Sequence, residues 1–256
     1  MMNVAVRDDF DRGSADHQNR EVLSVKGLSA GYGSIRVIHD LDLVVQRGER
    51  IGIVGLNGHG KSTLFYAIAG LTGWQRGSIK LNGMEVGRTR SQGPGRYTHE
   101  IVRAGLALIP QGDEIFHGLT VEEHLDSGAH TAAAWRDRAK RKLRIIEIFP
   151  PLRKLMKVPV GRLSGGERRM VSIGRGLMAD ASLFLVDEPS LGLAPKIGKS
   201  VLNALMGVEL GSSAMIIAEQ NVALLAGRVD RVIGMHAGKL KGEASTAFAL
   251  QTHRKA

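Results

Sequence analysis

Cysteine is absent from the 256 residues. This excludes a disulfide scaffold, thiol catalysis and cysteine-based zinc sites, and it fits a reducing compartment. Aromatic residues are scarce, at 4%, so no aromatic-interleaved platform for nucleic-acid bases is present and no nucleic-acid partner is expected. Long apolar runs are missing too. The longest stretch without Asp, Glu, Lys or Arg covers 14 residues, 62–75, whereas a membrane-spanning helix needs about 18 or more. Arg7, Asp8, Asp9, Asp11, Arg12, Asp16 and Arg20 leave no room for the apolar core of a secretion signal. The expectation is a soluble intracellular protein. A chain of this length buries a sizeable core as one large domain, with or without a subdomain.

Two quantities are in excess. Glycine is 33 of 256 residues, near 13% where about 7% is usual. The net charge is +10, which suits an anionic ligand, an anionic membrane surface or nucleic acid. Residues 136–169 hold most of it, with twelve basic and three acidic side chains. The run 136–144, six basic residues in nine, reads first as a solvated helix face. Attraction to an anionic leaflet or an acidic partner is the functional reading of the same run.

Along the chain, residues 1–20 are polar and aperiodic and read as a disordered tail. One domain is expected over 21–243, followed by a C-terminal tail over 244–256. Strands are expected at 21–26, 36–45, 51–54, 78–81, 106–109, 183–186 and 215–218, with glycines as punctuation. A helix is expected over 61–69, and helix formers dominate 121–156 up to the break at Pro150 and Pro151. A helical subdomain is therefore placed at about 118–170. Strands alternating with helices imply an α/β fold with a mostly parallel core sheet. The nine histidines form no metal set: His99-Glu-Ile-Val-Arg103 lacks the second histidine of a zinc-protease helix. His117, His124 and His130 read as structural or solvated.

Gly55-Leu-Asn-Gly-His-Gly-Lys-Ser62 fits the pattern G-x-x-x-x-G-K-[ST]. From composition alone, roughly 0.02 matches are expected by chance. The surroundings also fit, since an apolar strand precedes the loop and a helix-forming run follows it. Gly55, Gly58 and Gly60, with Asn57 between them, let backbone N–H groups curl around phosphate oxygens. The helix that follows turns its positive end to the same anion. Lys61 reaches the β- and γ-phosphates, and the Ser62 hydroxyl suits Mg²⁺. Further on, Leu183-Phe-Leu-Val-Asp187-Glu188 places two acids at the end of a buried strand, where open α/β sheets bind ligands. Asp187 suits Mg²⁺ through water, and Glu188 suits activation of an attacking water.

Leu163-Ser-Gly-Gly-Glu167 resembles the signature motif of ATP-binding cassette (ABC) ATPases, and the order of phosphate loop, Gln111, signature and Asp187-Glu188 is similar to theirs. The resemblance covers about residues 21–243. It implies a P-loop core with a mostly parallel sheet, an N-terminal antiparallel β subdomain and a helical subdomain. It implies ATP and Mg²⁺ as ligands, with Tyr32 stacked on adenine, Thr63 in the phosphate loop and Gln111 near Mg²⁺ or the attacking water. Ser164, Gly165, Gly166 and Glu167 would bind the γ-phosphate of ATP held by another subunit. Glu167 departs from the commoner glutamine, and an acid facing phosphate is unfavourable. Gln220 stands where the family carries its switch histidine; it can donate to the γ-phosphate but cannot carry positive charge.

Glu219-Gln-Asn221, Glu188-Pro-Ser-Leu-Gly-Leu-Ala-Pro195 and Gly105-Leu-Ala-Leu-Ile-Pro-Gln-Gly-Asp-Glu-Ile-Phe116 narrow the resemblance to the second ATPase subunit of branched-chain amino-acid importers. The ATPase of urea or short-amide importers is a near alternative, and a soluble non-transport ABC ATPase a more distant one. The resemblance implies a head-to-tail dimer, with itself or a second ATPase subunit, at the cytoplasmic face of the cell membrane. Two membrane permease subunits and, indirectly, a substrate-binding protein would be its partners.

Overall fold

Runs of β-branched residues broken by glycine build the first layer. The computed structural model describes residues 20–87 and 98–244. The tails expected at 1–20 and 244–256 thus lie, except for Arg20 and Ala244, outside the described residues. Strand β1 (Glu21–Tyr32) pairs antiparallel with β2 (Ile35–Gln46) across a tight turn at Gly33 and Ser34. Both strands are longer than the sequence pattern suggested. Gly27 and Gly31 do not end β1. They sit at register shifts inside it, and a Cβ on Gly31 would lie 1.9 Å from the Ile35 carbonyl oxygen. A glycine in a strand interior marks a bulge or a close approach as readily as an end.

Strand β3 (Arg50–Val54) and helix α1 (Lys61–Ile68) come next, then β4 (Trp74–Leu81) and β5 (Met84–Gly87). Asn82 and Gly83, with φ of 50° and 77°, close the β4–β5 hairpin. Asn-Gly is the dipeptide such a turn favours. The four strands form an antiparallel sheet in the order β2-β1-β4-β5. The remaining elements in chain order are α2 (Thr98–Arg103), β6 (Leu106–Ile109), α3 (Val121–Asp126), α4 (Ala132–Arg136), α5 (Arg138–Ile148) and α6 (Gly165–Leu177). They are followed by β7 (Leu183–Asp187), α7 (Pro195–Met206), β8 (Ala214–Glu219), β9 (Arg231–His236) and β10 (Lys239–Ala244).

The second sheet runs β10-β9-β3-β8-β7-β6, parallel except for β10 at its edge. Strands β7 and β8 at its centre are buried on both faces, as their continuous apolar runs require. Side chains alternate between two cores. Leu183 and Leu185 join Leu64, Phe65 and the antiparallel sheet, while Phe184 and Val186 join α6 and α7 through Ile173, Val201 and Leu205. The sheet is thus the middle layer of three.

Helices α3, α4 and α5 lie between β6 and α6 in the chain. Thr120 and Glu123 cap α3 reciprocally. Part of the basic run turns inward instead of facing solvent. Arg141 pairs with Asp180 at 2.7 Å, and Lys142 with Glu122 at 3.0 Å and Asp126 at 3.1 Å. His124 is fully buried, with Nε2 accepting from the Phe116 N–H at 3.2 Å. Burial, the largest cause, and the neighbouring Arg175 cation lower its pKa to about 4. Among the described residues no helix is long and apolar enough to cross a membrane.

Candidate active site

The parallel register sets the ends of four strands side by side. Val54 pairs with Glu219, Asp187 with Ala218, and Ile109 with Val186. Each C-terminal end leads into one motif of the sequence: β3 into the phosphate loop, β6 into Gln111, β7 into Asp187-Glu188 and β8 into Gln220. This edge of an open α/β sheet is where ligands bind, because backbone N–H groups and helix N-termini point into the crevice.

A cleft of about 320 Å³ lies there, lined by Val37, Asn57, Gly58, Gly60, Lys61, Ser62, Thr63, Gln111 and Glu188. The fold thus gathers half of the sequence-based candidates into the lining of one cleft. Gly58 and Gly60 have φ of 80° and 101°, a backbone that side chains strain to adopt. Gly60 caps α1 with no side-chain hydrogen bond, and no acidic residue stands in the first turn. The first turn of α1 therefore carries no acidic side chain of its own. Lys61 is buried. Its Nζ donates to the carbonyls of Gly55 at 2.8 Å and Leu56 at 3.3 Å, and it pairs with Glu188 Oε1 at 2.9 Å. A triphosphate entering the cleft must replace these partners. Tyr32 stands beside the loop, 40% exposed, with Thr63 as a side-chain partner.

The two carboxylates differ in kind. Glu188 reaches the cleft from a backbone with φ of 41°, unusual for a residue with a Cβ. Asp187 is fully buried, and neither of its carboxylate oxygens has a partner at full hydrogen-bond geometry, although the Ser62 hydroxyl lies close enough to lower its pKa. Burial pushes its pKa up; Glu188 adds to this, while Ser62, Lys61 and Arg169 pull it down. A buried carboxylate so short of partners is costly. A hard cation between Asp187 and the Ser62 hydroxyl would supply what it lacks. Among the described residues no group of three His, Cys, Asp or Glu side chains could hold a metal alone.

The signature segment lies elsewhere. Ser164, Gly165, Gly166 and Glu167 open α6 and do not line the cleft, and neither does Gln220, which is exposed at the end of β8. Ser164 and Glu167 satisfy each other. The Glu167 carboxylate accepts from the Ser164 N–H at 2.8 Å and from its hydroxyl at 2.7 Å, while the Ser164 oxygen accepts from the Glu167 N–H. The acid expected to face a phosphate is turned back onto its own helix.

Two residues passed over in the sequence hold the site together. His59, inside the phosphate loop, hydrogen bonds through Nδ1 to the Met235 carbonyl at 3.1 Å and packs edge-on against His236. Arg169, 1% exposed, spends its guanidinium on carbonyls of the Gln111 loop and of the turn after β7. Helical spacing held the signal for Arg169, since it shares the inward face of α6 with Ile173 and Leu177.

Residues 38–191 match the family model described as ABC transporter. The chain is 33% identical over 234 residues to the high-affinity branched-chain amino acid transport ATP-binding protein BraG of Pseudomonas aeruginosa, covering 91% of this chain and 97% of that one. It is 35% identical over 199 residues to a probable branched-chain amino acid transport ATP-binding protein, LivF, of Archaeoglobus fulgidus, with 76% and 80% coverage. Further relatives are named for cobalt import in Rhodobacter capsulatus and lipopolysaccharide export in Haemophilus influenzae. Among solved structures, an ATP-binding subunit of an ABC transporter superposes with a TM-score of 0.71 at 28% identity, over 92% of this chain and 95% of that one. The chain belongs to the ABC transporter family as an ATP-binding subunit that hydrolyses ATP.

Proposed function

We propose that this ATPase drives uptake of branched-chain or related amino acids. The cleft supports the nucleotide part of the reading. Lys61 and the N–H groups of α1 would hold the β- and γ-phosphates, and Tyr32 would stack on the adenine. Ser62, Gln111 and Asp187 would hold Mg²⁺, which would offset the negative charge of the phosphates. Glu188 would orient and deprotonate the water that attacks in line, and Gln220 would donate a neutral hydrogen bond to the γ-phosphate.

One observation carries the assembly: the signature residues Ser164–Glu167 stay outside the cleft of their own chain. Each cleft is then completed by the signature of a second cassette, this chain or a paralogue, facing it head to tail. Closure around ATP would pull on two membrane permease subunits from the cytoplasmic face, and hydrolysis would reset them. The amino-acid cargo rests on the names of BraG and LivF alone.

The experiment is turnover and binding in Glu188→Gln, followed by capture of its partners. With ATP binding within about threefold of wild type, turnover is expected to fall by at least about a hundredfold. Undiminished turnover removes Glu188 from catalysis. The tagged variant, held with ATP in detergent-solubilised membranes of the source cell, should retain a second cassette and two multi-span proteins. Recovery of soluble partners only would overturn the transport reading and leave the ATP site intact.

A further inference from the structure

The turn that carries Glu188 needs external support. Its φ of 41° lies in the left-handed region, and such a backbone persists only where its surroundings hold it. Support comes from two directions. On one side Glu219 Oε1 accepts from the Ser190 N–H at 3.1 Å. On the other, Arg169 donates to three successive carbonyls: Asp187 at 2.9 Å, Glu188 at 3.4 Å and Pro189 at 3.2 Å. The same guanidinium donates to Pro110 at 2.9 Å and also to Gly112. Those two residues flank Gln111 in the chain. A single planar fork of N–H groups thus fixes the backbone on both sides of the cleft glutamine and under the cleft carboxylate. Only a guanidinium carries enough donors in a rigid plane to do so; an ammonium has three on a flexible stem.

We propose that Arg169 is the positioning residue that sets Gln111 and Glu188 relative to each other. It touches neither substrate nor cleft; it acts through five backbone carbonyls. It is anchored on α6, whose neighbouring Arg168 holds the same loop through Asp113 at 2.9 Å. A displacement of α6 therefore moves both cleft side chains together. The proposal rests on the reading of Glu188 as the group that activates water.

Arg169→Lys keeps the charge and loses the fork. The measurement is steady-state ATPase activity per folded molecule, with KM and kcat separated and ATP affinity measured by titration. The expected result is a kcat lowered by about tenfold or more, with KM and ATP affinity within about threefold of wild type. A kcat within about twofold of wild type would overturn the proposal, as would affinity falling in step with kcat. Should the variant not fold, side-chain NMR of the wild type decides. One arginine should show resolved, slowly exchanging guanidinium protons that shift when a non-hydrolysable MgATP analogue binds, and no shift overturns the coupling. Glu188→Gln run in parallel separates the two claims. Loss of turnover there with an unaffected Arg169→Lys sinks only the positioning role, while retained turnover in Glu188→Gln sinks the water-activating role itself.

Discussion

Helices α1 and α6 both open on glycine-rich turns, yet their N-termini are finished in opposite ways. Gly60 leads into α1 with no side-chain cap and no acid in the first turn. Ser164 leads into α6 with a reciprocal cap from Glu167, an acid in the first turn. The N–H groups that α1 leaves open are those that the proposed phosphates would satisfy, with the nearby Lys61 adding charge. At α6 the protein supplies its own carboxylate, so the terminus is stable without a ligand. Glycine at a helix start therefore does not by itself leave the terminus open: α6 is already capped by its own chain where α1 is not.

The largest expected effect breaks the open terminus. Lys61→Ala should weaken ATP binding by about a hundredfold, since it removes a buried ammonium and leaves the open N–H groups alone with the phosphates. A fluorescent-nucleotide titration reads this. Affinity within about tenfold of wild type would mean that the backbone of α1 carries the binding unaided.

Next comes acid, which tests the helical region that α6 belongs to without touching the cleft. His124 has a folded pKa of about 4 against an ordinary value of 6.5. The native state therefore resists protonation. Its stability is complete above about pH 6.5 and falls as the pH drops towards about 4, by roughly 2 kcal/mol between about pH 7 and pH 5. Denaturant midpoints across that range should show the loss, and His124→Gln should flatten it. A slope unchanged in the variant would place the effect elsewhere.

The smaller effects concern the closed terminus. Ser164→Ala should cost about 1 kcal/mol of stability, because the cap is lost and the Glu167 N–H is left to water. Glu167→Gln should cost only a few tenths of a kcal/mol, since an amide oxygen still accepts from Ser164 but without charge beside the helix dipole. Thermal unfolding of the two variants ranks them. The same Glu167→Gln protein should bind ATP as wild type does when monomeric, because Glu167 lies outside the cleft.

The phosphate loop was legible because its chemistry is contiguous: eight consecutive residues, 55–62, carry the turn, the N–H groups, the ammonium and the hydroxyl. The buried strands were legible because residues 183–186 and 215–218 are apolar throughout. The glycines of β1 misled, since a bulge and a strand end look alike in one dimension. Strands β9 and β10 escaped notice, and so did the β4–β5 hairpin despite its Asn82-Gly83. The basic run 136–144 read as a solvated face because the partners of Arg141 and Lys142, namely Asp180, Glu122 and Asp126, are distant in sequence.

The sequence by itself marked the phosphate-loop pattern at 55–62 and named the residues that would meet a phosphate, since local spacing and backbone freedom suffice for that. It also determined the order of motifs that marks the family. Only the tertiary structure decided that Gln111 and Glu188 share one cleft, that Asp187 is fully buried and that Glu167 is folded onto its own helix. It alone showed the Arg169 guanidinium beneath the site. Each of these depends on parallel strands bringing remote segments to one edge of a sheet, where burial makes unpaired polar groups expensive and their partners decisive.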